Sequence, residues 1–361
     1  MNPHAYAVIL AGGKGERFWP LSTSKRPKQL LDLVGDKALI AQAVERVGEL
    51  IPPDHVFVVT NADIVEATRA CLPQLPKENI VGEPMGRDTA AAVALACVLV
   101  EKKDPKGVFC ILTADHVMKN LDVFNRTLSE SMELASQQDV LITMGIRPLH
   151  PDTGFGYINV NEALAWDGET EFHSVKNFEE KPDLVKAKNF VESGTYYWNS
   201  GMFIWSAHSL RLALTRYCPA LVRMMDRVKN SIGTEQFIDV LRREYEQLSK
   251  ISIDYALMEK ASNIVMAVGT FDWDDVGSWP ALEHHFPADE DGNTRIGQTE
   301  VLDCSGNIIL SRDHLTACIG VKDLVVVQAD GVTLVCPKER AQDIKKLVKA
   351  LHERGDCEAL L

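Results

Sequence analysis

The sequence predicts an α/β protein: a doubly wound, mostly parallel sheet followed by a small C-terminal β-rich domain of β-helix-like character. Three observations predict it. The 361 residues exceed the usual size of one small domain. Apolar strand-like runs alternate with helix-like stretches through the first half, as in sheets covered by helices on both faces. Beyond about residue 290 the alternation stops, and short apolar runs recur between Gly306, Gly320 and Gly331.

Each element follows from its local pattern. AYAVILA at 5–11 is a continuous apolar run ending in a glycine turn, hence a buried strand. Residues 37–50 carry a helical apolar stripe, and HVFVVT at 55–60 is a strand. A helix over 62–71, a short strand over 79–82 and an alanine-rich helix over 89–101 come next. A strand at 108–112, a helix at 123–136 and a strand at 140–145 complete the alternation. The middle region mixes strands at 157–160, 172–178, 201–205 and 264–268 with helices at 236–248 and 254–261. PADEDGNTRIG at 287–297 is a polar, turn-rich connector. Strands at 307–310, 316–319, 324–328 and 332–336 and a helix at 339–352 close the chain. These assignments give a catalytic-size domain over 1–288 and a β-rich domain with a terminal helix over 289–361. Open parallel sheets bind ligands at the carboxyl ends of their strands. The polar motifs of the first half fall at such ends, which makes the sheet Rossmann-like.

Composition excludes several classes. The chain is 46% hydrophobic and 25% charged, with 38 Lys and Arg against 51 Asp and Glu and a net charge of −13. So acidic a chain is a poor partner for nucleic acid, whose backbone needs a basic surface. The longest apolar run, 90–100, falls short of the roughly 20 residues a bilayer requires, so no membrane span is expected. The N-terminus lacks the basic region of a secretory signal. Eight cysteines include no C-x-x-C pair, which points away from zinc and redox sites and toward a reducing, cytoplasmic setting.

Against that acidic background, residues 11–30 hold five cations (Lys14, Arg17, Lys25, Arg26, Lys28) and one acid, Glu16. The motif LAGGKGER follows the first strand. It is not a Walker A loop, because Glu16 follows Gly15 where Lys belongs, and not a dinucleotide fingerprint, because Phe18 stands at the third glycine. A glycine turn beside a local cationic funnel suits a small polyanion. Three further sets stand out. Glu83, Arg87 and Asp88 lie between a strand and the alanine-rich helix, where Asp88 or Thr89 can also serve as a cap. Asp115 ends the strand at 108–112, and Asp275 follows the strand at 264–268. GFGYI, FEEKP and WNSGMF supply Gly156, Glu180, Lys181 and Asn199.

LAGGKGERFWPLSTSKRPKQLL resembles the N-terminal motif of the sugar-phosphate nucleotidyltransferases, in the form found in mannose-1-phosphate guanylyltransferases. GEPMGRDTA, TGFGYI, FEEKP, WNSGMF and DWDDVGSW follow in that family's order over residues 5–285. The resemblance implies that Gly12, Gly13 and Gly15 wrap a triphosphate, and that Arg17 and Lys28 neutralise it as catalytic groups. It implies that Glu83, Arg87 and Asp88 meet the base, and that Asp115 and Asp275 hold Mg²⁺. Gly156, Glu180, Lys181 and Asn199 would then meet the sugar phosphate. Two departures stand out: Asp88 replaces an asparagine of the family pattern, and Asp274 replaces a serine. GTP and mannose 1-phosphate are the implied substrates. Another hexose 1-phosphate or nucleotide, or a catalytically silent nucleotide-sugar-binding subunit, are the alternatives. The chain's end at Leu361 leaves no room for an added cupin-type isomerase domain, so a single activity is expected. An open β-rich end would allow a homodimer.

Overall fold

The computed structural model describes residues 2–355, Cys357, Leu360 and Leu361. Nine strands form one mixed sheet: β1 (Ala5–Ala11), β2 (Val56–Asn61), β3 (Ile80–Glu83), β4 (Val108–Thr113), β5 (Leu141–Ile146), β6 (Tyr157–Ala163), β7 (Phe172–Glu179), β8 (Tyr196–Ser206) and β9 (Ile264–Gly269). Their order is β3-β2-β1-β4-β8-β5-β9-β7-β6. Strands β3, β2, β1 and β4 run parallel, and β5 pairs parallel with β9. Strand β8 inserts antiparallel to both β4 and β5, and β6 and β7 continue the antiparallel edge. The strand order reverses at β1 and β4. Their carboxyl ends therefore lie side by side where the switch-point rule places a ligand.

The alanine-rich helix Thr89–Lys103 is buried on nearly every side, from Ala90 to Val100. Small side chains let it pack closely on β2, β1 and β4 through Phe57, Tyr6, Val8, Phe109 and Ile111. Asp88 caps it by accepting the Thr89 N–H at 2.8 Å. Helices Leu184–Ser193, Ala207–Tyr217 and Pro219–Ser231 follow later in this part of the chain. Asp183 and Ser206 cap the first two from their side chains, and proline opens the third.

Some expected elements change form. The runs expected at 307–310 and 316–319 are one strand, Ile308–Ile319. The strand expected at 201–205 is the second half of β8, whose first half hides in the polar-looking YYWNS. Gly201 sits there at φ 70°, and the pairing with β5 shifts register nearby, between Thr143 and Gly145. Such a bulge breaks the alternation that sequence reading relies on. The helix expected over 254–261 is a π-turn, Asp254–Met258. The terminal helix opens as a 3₁₀ segment, Lys338–Asp343, before Ile344–Arg354.

By internal contacts the chain divides into two compact units. One comprises Met1–Gly12, Ala43–Ala114 and Met118–Trp273; the other comprises Gly13–Gln42, Asp115–Val117 and Asp274–Leu361. The second unit is built on a four-stranded sheet: β10 (Thr294–Leu302), β11 (Ile308–Ile319), β12 (Leu324–Ala329) and β13 (Val332–Pro337). The first three are parallel, and β13 returns antiparallel. Ile308, Leu310, Val325 and Val327 pack with Phe18, Trp19, Leu31, Trp279, Ile344 and Val348 in one apolar core. The glycine-loop segment is therefore sealed into the core of the C-terminal region. Trp19 Nε1 donates to the Leu360 carbonyl at 2.8 Å, and Ser24 N to that of Leu361 at 2.9 Å.

Two fully buried asparagines bind successive coils. Asn293 Oδ1 accepts from Asn307 N and Nδ2 at 3.1 and 2.8 Å, and Asn293 Nδ2 donates to the Cys304 carbonyl at 2.9 Å. Asn307 repeats the device, donating to the Val321 carbonyl and accepting from Leu324 N, both at 2.9 Å. Asn307→Ala would leave several buried polar groups unpaired. It should cost about 2–4 kcal/mol, read as a lower urea midpoint for the C-terminal region with faster proteolysis there; an unchanged midpoint would contradict the ladder.

Candidate active site

The glycine loop, the segment after β4 and the DWDDVGSW segment converge within the second unit. Gly13 to Phe18, Lys28, Asp115, His116, Asp275, Gly277 and Lys345 line one cavity of about 400 Å³. Lys28 is its buried centre. Its ammonium donates to Asp115 Oδ2 at 2.9 Å and to the main-chain carbonyl of Asp275 at 2.7 Å, and lies over the Phe18 ring. Asp115 and Asp275 thus flank one cation. Burial raises the Asp115 carboxyl, but Lys28 and His116 outweigh it and hold that carboxyl below its usual range.

Gly15 is the glycine the loop cannot replace. Its φ of 66° is left-handed, and a Cβ there would run into the Cβ and main-chain nitrogen of Lys28. Gly13 faces open space, and a Cβ on Gly12 would meet only Glu83 Oε2, at 3.7 Å. Arg17 donates to the Gly277 carbonyl at 3.3 Å, while its Nε is buried with no partner among the described residues. Arg17 itself lines the cavity, so its guanidinium is placed to meet an anion that enters there.

Asp274, which stands where the resembling family has serine, is not a loose charge beside Asp275. It accepts from Val276 N at 2.7 Å and meets His284 Nδ1 and His285 Nε2 at 3.0 and 3.1 Å. Burial would raise its carboxyl, yet these partners pull it down to about 2. Val276 takes φ 44°, an uncommon conformation for a β-branched residue, and is fully buried. The strained turn presents Asp275 and Gly277 to the cavity.

The first unit carries the other two sets. Glu83 ends β3 and is buried, and its Oε1 has no hydrogen-bond partner among the described residues. Burial pushes its carboxyl up to about 7; the Tyr245 hydroxyl draws it partly back and Asp88 adds repulsion. Asp88 is spent on the helix cap, at φ 66°. Arg87 donates to the main-chain carbonyls of Tyr245 and Glu246 at 2.8 and 3.2 Å, tying the helix Phe237–Glu246 to this turn.

In the third set, Glu180 is buried and ion-paired to Lys181, which itself sits at φ 49°. Gly156 is small because Glu180 needs the space: a Cβ there would strike its carboxylate and press on the Phe178 ring. Asn199 lies inside β8 and not at its start. It accepts from Thr143 Oγ1 at 3.1 Å and donates to Asp254 Oδ1 at 3.1 Å. Sequence reading missed Asp254. Burial and the neighbouring Glu180 push its carboxyl up to about 6. The usable signal was an acid inside the apolar stretch around Ile253 and Ala256. Asp254 joins Glu180, Lys181 and Asn199 in a compact set of acceptors and donors suited to vicinal hydroxyls. Lys345 was missed as well, since the β-rich end showed no clustered chemistry in sequence.

Comparisons with known proteins show what the chain is similar to. Residues 6–292 match the model of the nucleotidyl transferase family, and residues 297–351 match a mannoseP isomerase/GMP-like beta-helix domain. The chain is 36% identical to a mannose-1-phosphate guanylyltransferase of Klebsiella pneumoniae, over 97% of this chain and 74% of the relative. It is 34% identical to the Escherichia coli K12 protein of the same name, with the same coverage. A crystal structure from Thermus thermophilus, described as a mannose-1-phosphate geranyltransferase, superposes with a TM-score of 0.86 at 31% identity, covering 97% of this chain and 99% of that one. No helix among the described residues is long and apolar enough to cross a membrane.

Gly15→Ala should move Lys28 and disable the loop. Turnover should fall at least about 100-fold, as it does when a charge-stabilising donor is lost, with the melting temperature changed by only a few degrees. Steady-state kinetics and thermal melting on one preparation decide it; a variant of normal turnover would show that Lys28 does not need this placement.

Proposed function

The chain belongs to the nucleotidyl transferase family, and we propose that it acts as a mannose-1-phosphate guanylyltransferase, condensing GTP with α-D-mannose 1-phosphate to give GDP-mannose and diphosphate. The observation that carries the reading is the buried Lys28 ammonium joining Asp115 to the Asp275 segment in a cavity lined by the glycine loop. Names of relatives support the sugar and the base.

In this reading a phosphate oxygen of the sugar substrate attacks the α-phosphorus of GTP, and diphosphate leaves in line on the opposite side. The attacking oxygen is already anionic, so no protein nucleophile or general base is required. Catalysis is alignment together with stabilisation of charge on the transferring phosphoryl group. Lys28, fixed by its two oxygen partners, stands as a preorganised cation. Arg17 Nε and the loop amides add donors. Glu180, Lys181, Asn199 and Asp254 orient the hexose phosphate.

Asp115 and Asp275 fit Mg²⁺, which favours one or two carboxylates completed by phosphate oxygens and water. When bound, the ion supplies charge neutralisation and a template for the phosphates. A silent regulatory subunit is disfavoured because Lys28, Arg17 and both carboxylates keep their positions. The eight cysteine side chains are thiols, which agrees with a cytoplasmic setting, and the β-rich region leaves a homodimer open as the assembly.

Asp115→Ala and Lys28→Ala should each lower turnover at least about 100-fold, followed by diphosphate release with Mg²⁺, each nucleoside triphosphate and a panel of hexose 1-phosphates. GTP with mannose 1-phosphate should be the best pair; preference for another pair would reassign the substrate, and normal turnover in both variants would remove the site.

Glu83 gives the base its test. A carboxylate accepts from N1–H and N2–H₂ of guanine, whereas its protonated form offers a donor where none is wanted. Because its carboxyl sits at about 7, preference for GTP over ATP should strengthen as pH rises through that value, and Glu83→Gln should flatten the trend. Stability runs the other way. With the folded value above the unfolded one, the native state gains protons as pH falls through the 4.5–7 window and loses stability as pH rises through it. Glu83→Gln should therefore raise the melting temperature more at pH 8 than at pH 4.5. Equal shifts at both pH values would deny the buried charge.

A further inference from the structure

The C-terminal helix brings a fourth cation to the loop cavity. Lys345 opens the helix Ile344–Arg354 and lines the cavity beside Lys14, Arg17 and Lys28. Its flanks are pinned: Ile344 and Val348 are buried in the core with Phe18 and Trp279, and Gln342 Nε2 reaches Ser278 Oγ at 3.5 Å. The backbone position of Lys345 is therefore set by packing.

Its charge is not balanced by the protein. Lys28 has Asp115 at 2.9 Å, and Lys14 has Glu16 at 3.9 Å. On the same helix Lys346 pairs with Asp343 at 2.7 Å and Lys349 with Glu353 at 3.8 Å. Lys345 has no ion pair or hydrogen bond among the described residues. Burial and the Arg17 guanidinium hold its ammonium below the ordinary lysine value, with Glu16 offsetting only part. Like charges placed together gain nothing for folding. A lysine set among like charges, in a cavity lined by the glycine loop, gains a partner when an anion enters.

We propose that Lys345 is a substrate-contacting residue that takes the β- and γ-phosphates of the nucleotide, so that the β-rich C-terminal region completes the diphosphate site. The assignment rests on the nucleotidyltransferase reading and extends it. The choice of phosphates follows from the neighbours. Lys28 is tied to the Asp115 carboxylate and to the main-chain carbonyl of Asp275, the two residues that fit the metal, so it belongs at the reacting phosphorus. Lys345 shares the cavity with Arg17 and Glu16 of the loop and interacts electrostatically with both, which places it with the loop residues assigned to the leaving diphosphate.

The test compares wild type, Lys345→Gln, Lys345→Arg and Lys349→Gln in both directions of the reaction, with inorganic diphosphate titrated directly by calorimetry. Lys345→Gln should raise the KM for GTP and diphosphate about tenfold, the loss of one charge-assisted contact of about 1.4 kcal/mol. The KM for mannose 1-phosphate should stay within about twofold. Lys345→Arg should recover most of the diphosphate affinity, and Lys349→Gln should match wild type. Unchanged GTP and diphosphate constants in Lys345→Gln would overturn the assignment. So would an equal rise for all three substrates, which marks a merely structural role. Should the wild type turn over no sugar phosphate at all, the nucleotidyltransferase reading fails instead, while diphosphate calorimetry still decides whether Lys345 binds the anion.

Discussion

The buried ammonium of Lys28 is the interaction on which the second unit turns. A lysine taken out of water must have its charge met, and here one carboxylate and one main-chain carbonyl meet it from two distant segments of sequence. Three consequences follow. The segment after β4 and the Asp274–Ser278 turn are held to the glycine loop. Gly15 has to be glycine, because the chain passes against the Lys28 backbone. The Asp115 carboxylate stays ionised despite its surroundings. One ion pair thus sets loop conformation, carboxylate charge and cavity shape together, and a phosphoryl group would enter a site already organised for it.

Much of this was legible in sequence, and the reasons are local. Strand β1 has the bounds its apolar run predicts, and the alanine-rich helix extends only two residues beyond its expected end. The +4 patch around the loop reads directly as an anion site. Spacing could not show what Gly156 and Asp274 do. In sequence Gly156 suits close approach to a sugar; in the fold it is small to admit the Glu180 carboxylate. In sequence Asp274 adds charge beside a metal ligand; in the fold two histidines and a backbone amide absorb it. Both depend on partners brought by the fold, which periodicity cannot see. Lys345 and Asp254 stayed hidden for the same reason: one sits in a helix with ordinary surface charges, the other in a π-turn that reads as plain helix.

The two units hold their charge in opposite ways. In the cavity of the second, the cations Lys14, Arg17, Lys28 and Lys345 outnumber the acids Glu16, Asp115 and Asp275, and the surplus sits on Arg17 and Lys345. In the first, the acids are the strained partners: burial lifts Glu83 to about 7 and Asp254 to about 6. Each imbalance costs folding free energy, which a ligand of complementary character would relieve. In the proposed function a phosphate would relieve the first, and donor-rich edges such as the Watson–Crick face of guanine, or the hydroxyls of a hexose, would relieve the second. This is the stability that a protein forgoes to keep a site receptive.

That argument also separates function from folding in the acidic residues. Asp88 and Asp183 each accept a backbone N–H at a helix start, and nothing about them is strained beyond the φ of Asp88. Glu83 Oε1 accepts nothing, in a place where water is excluded. A cap explains the first two completely. Among the described residues the Tyr245 hydroxyl draws on the Glu83 carboxyl but leaves Oε1 unmet, and a buried oxygen without a donor suits a place where a donor would arrive with a ligand. Glu83 therefore stands apart by what the fold leaves unmet, a mark more discriminating than the motif in which the residue occurs.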